Sequence, residues 1–333
     1  MSEITYDAVN IDAKGIEEQN ENIKAPKNSY QNQKKVSFDP KNYLNVVLGP
    51  NETTKTLKVR FIPISATDGR VFFDVDTHSI KVNREVSKSG FKSYFCLNDK
   101  NTESKEECPI CAMSKQLFAE SKKTRDEGNE VLAKSLFKEA CQFKKKKTFI
   151  TRVIDRDHED EGVKFWKFNE NSKGEGVYDK LISLYNTRKQ ESIDDGEGDY
   201  NIFDLYNGKD IIINISKSQI PDGRGGVRDL IAYNITDSGN RKPLSKDVEL
   251  ANKWLNDDKK WSDVYGVKSA DFIKVVANGG VPVFNSEFGC FVERSANDER
   301  EKKANEQAAT ELLQEQTSGE DVPIDDFEDD LPF

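Results

Sequence analysis

The stretch Val71-Phe72-Phe73-Asp74-Val75-Asp76-Thr77-His78-Ser79-Ile80-Lys81-Val82 follows the turn signal Asp68-Gly69. Dense in valine, phenylalanine and isoleucine, it reads as a β-strand. It carries His78, one of two histidines in the chain. Cys96, Cys108 and Cys111 follow, the last two in the knuckle Cys108-Pro109-Ile110-Cys111. Three thiolates and one imidazole can fill a tetrahedral Zn²⁺ site. The two-residue gap lets both sulfurs of the knuckle reach one ion, and Pro109 pre-sets part of the turn. A catalytic zinc keeps an open position, so four protein ligands point to one closed, structural Zn²⁺ on His78, Cys96, Cys108 and Cys111. The alternatives are four unrelated buried residues or a redox-active C-x-x-C.

Upstream, Leu57-Lys58-Val59-Arg60-Phe61-Ile62 alternates apolar and basic residues, presenting Lys58 and Arg60 on one face until Pro63 ends the strand. A short strand over 92–97 carries Cys96. Residues 109–143 read as helix, broken near Glu127-Gly128-Asn129. Lys144-Lys145-Lys146-Lys147 then leads into a strand over 148–154, and Glu161-Gly162 turns it into a strand over 163–168. A helix over 177–188, a loop over 196–199 and a hairpin of 210–217 with 230–235 follow. Helical pieces over 247–255 and 269–278 surround Trp254 and Trp261. Short strands interrupted by helices and a zinc loop suit a mainly β chain with an OB-fold core, an open Greek-key barrel. The expected boundaries are an arm over 1–40, open to self-association, and a core over 41–294 with a zinc subdomain over 78–142. A helix-prone linker and acidic tail occupy 295–333.

The chain has 333 residues, 35% apolar and 33% charged. So lean a composition predicts disordered segments. The net charge of −10 is unevenly spread: residues 316–333 hold seven acids and no base, and residues 1–33 hold six acids against three lysines. The remainder is neutral, with local basic clusters. No apolar run reaches the ~20 residues of a membrane span. The polar, acidic start is no export signal, which places the cysteines in a reducing cytoplasm and favours metal over disulfide.

Catalysis finds little support. There is no P-loop, and a triad would need a histidine: His78 is better used by zinc, and His158 sits in the acidic turn Asp155 to Glu161. Single-strand binding needs cations for phosphates and rings for bases. The residues offering both are Lys58, Arg60, Lys81, Arg84, Tyr94, Lys144, Lys145, Lys146, Lys147, Phe149, Arg152, Lys164, Trp166 and Arg228. Alternation keeps Phe165 and Lys167 off the face of Trp166 and Phe168, so at least one set belongs to the core. In the tail, Asp325, Asp326, Phe327, Asp329, Asp330, Leu331, Pro332 and Phe333 combine acid with an apolar tip. They suit a partner pocket, or a basic groove when DNA is absent.

These residues resemble the zinc-containing single-stranded-DNA-binding proteins of T-even-type bacteriophages, the helix-destabilising family of phage replication. The likeness runs from about Leu57 to Tyr233. The set His78, Cys96 and Cys108-Pro109-Ile110-Cys111 matches in order, and Lys146-Lys147-Thr148-Phe149 and Val163-Lys164-Phe165-Trp166-Lys167-Phe168 resemble the strands that follow. The resemblance implies an OB-fold that coats single-stranded DNA without sequence preference during viral DNA replication, recombination and repair, in the host cytoplasm. It places Lys144, Lys145, Lys146, Lys147, Phe149, Arg152 and Trp166 in the DNA cleft. It makes the acidic tail a contact for polymerase, helicase or helicase loader, and an N-terminal arm a means of self-association on DNA. This arm departs from the pattern: it is acidic, with Lys34-Lys35 as its only basic cluster. A zinc-stabilised RNA-binding or translational regulator is the alternative.

Overall fold

The computed structural model describes residues 38–295 and 298, apart from 103, 172, 222, 224 and 287. The arm before residue 38 and the tail with Asp325, Asp326, Phe327, Asp329, Asp330, Leu331, Pro332 and Phe333 lie outside the described residues.

Nine strands and six α-helices are described, in chain order β1 (Thr54–Ile62), β2 (Phe72–Lys81), β3 (Phe91–Phe95), α1 (Pro109–Asp126), α2 (Glu130–Gln142), β4 (Lys146–Asp155), β5 (Val163–Asn169), α3 (Val177–Asp194), β6 (Ile211–Pro221), β7 (Val227–Asp237), α4 (Val248–Leu255), α5 (Trp261–Val264), α6 (Ala270–Ala277), β8 (Pro282–Asn285) and β9 (Cys290–Glu293). The break between α1 and α2 falls where Gly128 takes a positive φ of 86°, a conformation glycine adopts without Cβ strain. The β6–β7 hairpin is longer than the sequence pattern indicates. Its ladder runs to Pro221 opposite Val227, because polar residues continue the pairing beyond the apolar run.

Seven strands form one antiparallel sheet in the order β3-β2-β4-β1-β6-β7, with β5 also on β4. Strand β4 is the spine. Residues 146–151 pair with β2 and 152–155 with β1 along one edge, while β5 takes the other. The sheet is not closed into a barrel. Among the described residues no ladder joins β5 to β7; Trp166 and Tyr233 meet there with ring centroids 6.4 Å apart. From α3, the Lys180 ammonium donates to the Tyr233 carbonyl at 2.6 Å.

Strand alternation sorts the side chains onto two faces. One carries Phe61, Phe72, Phe149, Trp166 and Phe168 into the main core beneath α3. The other carries Phe73, Val75, Phe95, Ile150 and Phe165 against Trp261, Val264 and Tyr265. Both the Trp166–Phe168 set and Phe165 are therefore buried, because the sheet is covered on each side at that point.

Buried charge fastens the far end. The Asp210 carboxylate accepts from Arg156 Nε at 3.0 Å and pairs with Lys242 at 2.6 Å, Arg60 at 3.6 Å and Lys58 at 3.8 Å. Burial would raise the Asp210 pKa, yet Lys242 and Arg156 overcome it and hold it below the usual carboxylate range. Asp210→Asn should leave Arg60 buried without its counter-charge, costing about 3–5 kcal/mol, as read by urea unfolding. A depressed carboxylate stabilises the fold above its unfolded value and loses that contribution as pH falls through its lower folded value. The urea midpoint should therefore hold near neutrality and decline below about pH 4, and this acid decline should shrink in Asp210→Asn.

Candidate metal centre and the sheet face behind it

Four donor atoms converge where β2, the turn after β3 and the start of α1 meet. One atom each from His78, Cys96, Cys108 and Cys111 lies within 4.8 Å of the others. His78 Nε2 is 3.6 Å from Cys108 Sγ and 3.4 Å from Cys111 Sγ, and Cys96 Sγ is 3.5 Å from Cys111 Sγ. An ion bonded at about 2.3 Å to sulfur and 2.0 Å to nitrogen sets its donors roughly 3.5–3.8 Å apart, so the set fits a small tetrahedral cation such as Zn²⁺. All four residues are buried or nearly so.

Local structure fixes each donor. His78 Nδ1 donates to the Phe143 carbonyl at 2.8 Å, which turns Nε2 toward the sulfurs. The Cys108 amide donates to Asn98 Oδ1 at 2.8 Å. Cys108 is the N-cap of α1 and Pro109 its first residue, so Cys111 sits in the first turn, where the helix dipole favours a thiolate. Behind them Ile80, Val82, Tyr94, Leu97 and Ile110 form a small core with Ile273 and Val276 of α6. Helix α6 thus packs against residues of the 78–142 segment although it lies far beyond it in sequence.

The electrostatics call for a cation. Burial would lower the His78 pKa, yet the Cys108 and Cys111 sulfurs outweigh it and push it up to about 9. The sulfurs of Cys111 and Cys96 drive the Cys108 thiol far down, while Cys108 and Cys111 drive Cys96 far up. Thiols so close cannot all ionise on their own, and a divalent cation resolves the conflict. Lys145 adds nearby positive charge: burial opposes its ionisation, but Cys96 and Asp76 overcome that and raise its pKa.

The nucleic-acid residues expected from the sequence are scattered. Arg60 and Arg152 are buried, and their expected phosphate contacts are corrected to internal ones. Arg60 donates to the carbonyls of Asp204 and Lys242 at 3.0 and 2.6 Å. Arg152 donates to those of Ile64, Trp254 and Asp257 at 3.0, 3.1 and 3.0 Å, tying the segment after α4 to the sheet. Lys164 is buried against Glu161. Trp166, Phe149 and Tyr94 are core rings rather than stacking platforms; Phe149 lies flat on Tyr178 at 3.9 Å.

The lysine run divides. Lys144 lies over the Phe118 ring at 5.4 Å. Lys145 pairs with Asp76 at 3.1 Å and Lys147 with Asp74 at 3.6 Å, both on the His78 face. Lys146 alone projects from the opposite face, exposed and opposite Thr77. Lys81, Arg84 and Arg228 are exposed, and Lys58 is half-exposed beside Asp210.

A second row of side chains lies on the sheet face behind the candidate metal ligands. Register places Phe91 opposite Lys81, Ser93 opposite Ser79, Phe95 opposite Thr77, Thr77 opposite Lys146, Thr148 opposite Asn169 and Ile150 opposite Lys167. Directly paired residues share a face. Along this row Phe91 (60% exposed), Ser93, Lys146 and Asn169 reach solvent, while Phe95, Thr77, Thr148 and Ile150 between them are buried. Lys167 continues it, lying over the Phe95 and Tyr265 rings at 5.3 and 4.8 Å. Thr77, Thr148 and the Asn169 side chain are linked across strands at 2.8 and 2.9 Å. The sequence offered a signal for Phe91: period two from Phe95 through Ser93 reaches it, though the strand reads one residue short from composition alone.

Compared with known proteins, the chain matches no family model and no curated relative. Among the described residues no helix is long and apolar enough to cross a membrane.

The protein should hold one Zn²⁺ per chain by elemental analysis. Cys108→Ser should lose it and, with a buried set left open, unfold at markedly lower temperature. Metal retention should fall as pH drops, because bound thiolates compete with protons.

Proposed function

We propose that this protein binds single-stranded DNA without sequence preference, coating and protecting it during replication, recombination and repair. The observation that carries the proposal is the strip of Phe91, Lys81, Lys146, Asn169 and Lys167 on one sheet face. It combines an exposed ring with cations and amide or hydroxyl groups at strand spacing, the mix a stacking platform on a phosphate track requires. The metal ligand His78 sits on the reverse of the same strand, so the clamp that holds β2 also holds the binding face.

The connectivity supports an OB-type core. Pairing runs β5-β4-β1-β6-β7 with α3 between β5 and β6, the order of a five-stranded Greek-key barrel left open between β5 and β7. On that assignment β4 and β5 are its second and third strands, whose outer face carries oligonucleotides in OB-folds. Lys146, Asn169 and Lys167 lie on that face. The hairpin β2–β3, α1 and α2 are then an insertion between the first and second strands.

Zn²⁺ here is structural: once bound it neutralises the thiolates and joins β2 to α1. Self-association through the arm and recruitment of replication and recombination proteins through the acidic tail belong to the same proposal. So do a phage origin, a cytoplasmic setting and the absence of enzyme activity. The second reading, an RNA-binding regulator, is favoured by nothing beyond the shared strip.

Fluorescence titration with single-stranded DNA, RNA and duplex DNA separates the two. Single-stranded DNA should bind tightest, and its affinity should fall steeply with salt as counterions are released. Tighter binding to RNA would transfer the proposal to the second reading. Phe91→Ala should weaken binding by about 1–3 kcal/mol, the worth of one stacked base, while Trp166→Ala should act through loss of folding.

A further inference from the structure

We infer that the outer edge of β7 pairs with the same edge of a second copy of this chain, joining two hairpins into one four-stranded sheet. The β6–β7 ladder continues past the start of β1: Thr54 stands opposite Ser216, whereas β6 and β7 stay paired as far as Pro221 and Val227. Residues 227–232 are all exposed, so no layer covers either face of β7 there. A two-stranded hairpin with no third strand and no covering layer is marginal in water. Val227, Leu230 and Ile231, at 65, 41 and 42% exposure, also leave apolar surface in solvent.

The backbone defines what fits this edge. The Lys217 N–H donates to the Thr53 carbonyl at 2.8 Å, away from β7. Ile231 stands opposite Lys217. Backbone direction alternates along an antiparallel ladder, so Val227, Asp229 and Ile231 turn their N–H and C=O groups outward, away from β6. The Tyr233 carbonyl has the same parity and accepts from Lys180 on that outer side. Further along the hairpin, the outward groups of Val227, Asp229 and Ile231 have no partner among the described residues.

An open edge is a template for another strand, and three features favour a second copy. Two identical antiparallel edges related by a two-fold axis match donor to acceptor by symmetry. Centred on Asp229, the pairing sets Val227 of each copy against Ile231 of the other, and each Asp229 brings its own counter-charge, Lys217 at 3.2 Å. The opposite edge of the hairpin is blunted by Pro221, which has no N–H. Pairing through β7 therefore closes at two copies instead of running on as a filament. Neither the proposed DNA strip nor the N-terminal arm takes part in this contact.

The test is hydrogen exchange on the full chain without nucleic acid, read amide by amide by NMR at rising protein concentration, so its outcome does not depend on the functional proposal. The Val227, Asp229 and Ile231 amides should exchange about tenfold or more slowly as concentration rises, while those of Arg228 and Leu230, inside the β6 ladder, are protected throughout. Fast exchange of the three outward amides at every concentration overturns the inference. So does protection indifferent to concentration, and so does a dimer that leaves these amides unprotected. Ile231→Pro removes an outward N–H and leaves the β6 ladder intact. It should weaken dimerisation by about tenfold or more in sedimentation equilibrium, with two hydrogen bonds lost per dimer. Should that variant not fold, Ile231→Lys charges the edge and keeps the backbone; a dimer it leaves unchanged would equally overturn the inference.

Discussion

Three sulfurs and one imidazole nitrogen lie within 4.8 Å of one another in the interior, and everything around β2 depends on that crowding. Left to themselves the four donors share protons unequally, with the Cys108 thiol driven down and the Cys96 thiol driven up. Joined to a cation they become a rigid tie between the middle of a strand and the first turn of a helix. Among the described residues the apolar cluster beside them is smaller than the main core. The cluster beneath the site is small and draws Ile273 and Val276 from a helix more than a hundred residues further along. The site closes a loop that hydrophobic burial alone would close weakly.

From that tie the two sides of β2 take separate tasks. Residues 74, 76, 78 and 80 face the side of the Cys/His cluster, where Asp74 and Asp76 pair with Lys147 and Lys145. Residues 77, 79 and 81 face away, toward Ser93, Phe91 and Lys146. The period of two that defines a strand sends alternate side chains of one segment to two different surroundings, the Cys/His cluster on one side and, toward the end of β2, the exposed Lys81 on the other. The rest of the sheet continues the arrangement through β4 and β5, with aromatic cores above and below the part that must be stiff.

Much of this was legible in the residues. The ligand set followed from scarcity and spacing, the helix break from Gly128, and the strands from alternation. The burial of Arg60 and Arg152 was not legible. Each sits in an alternating strand exactly as a surface cation would, and what withdraws it is a carbonyl-lined pocket built by segments distant in sequence: Asp204 and Lys242 for one, Trp254 and Asp257 for the other. Trp166 was lost for a related reason. Alternation told which residues shared its face but not that helix α3 would cover that face. The closing strands β8 and β9 were missed because four-residue strands carry too little pattern to register.

The lysine run at 144–147 holds a wider consequence. Its four charges look interchangeable, yet the strand they lead into gives each a different address, and only Lys146 reaches the open face. Which lysine reaches that face is therefore set by parity rather than by charge count. Inserting a single neutral residue between Lys147 and Thr148 would conserve net charge, yet exchange the inward and outward lysines. Such a chain would keep its electrostatic signature while presenting a different surface, so lineages that carry this run should tolerate swaps among its basic residues far better than a change in its length.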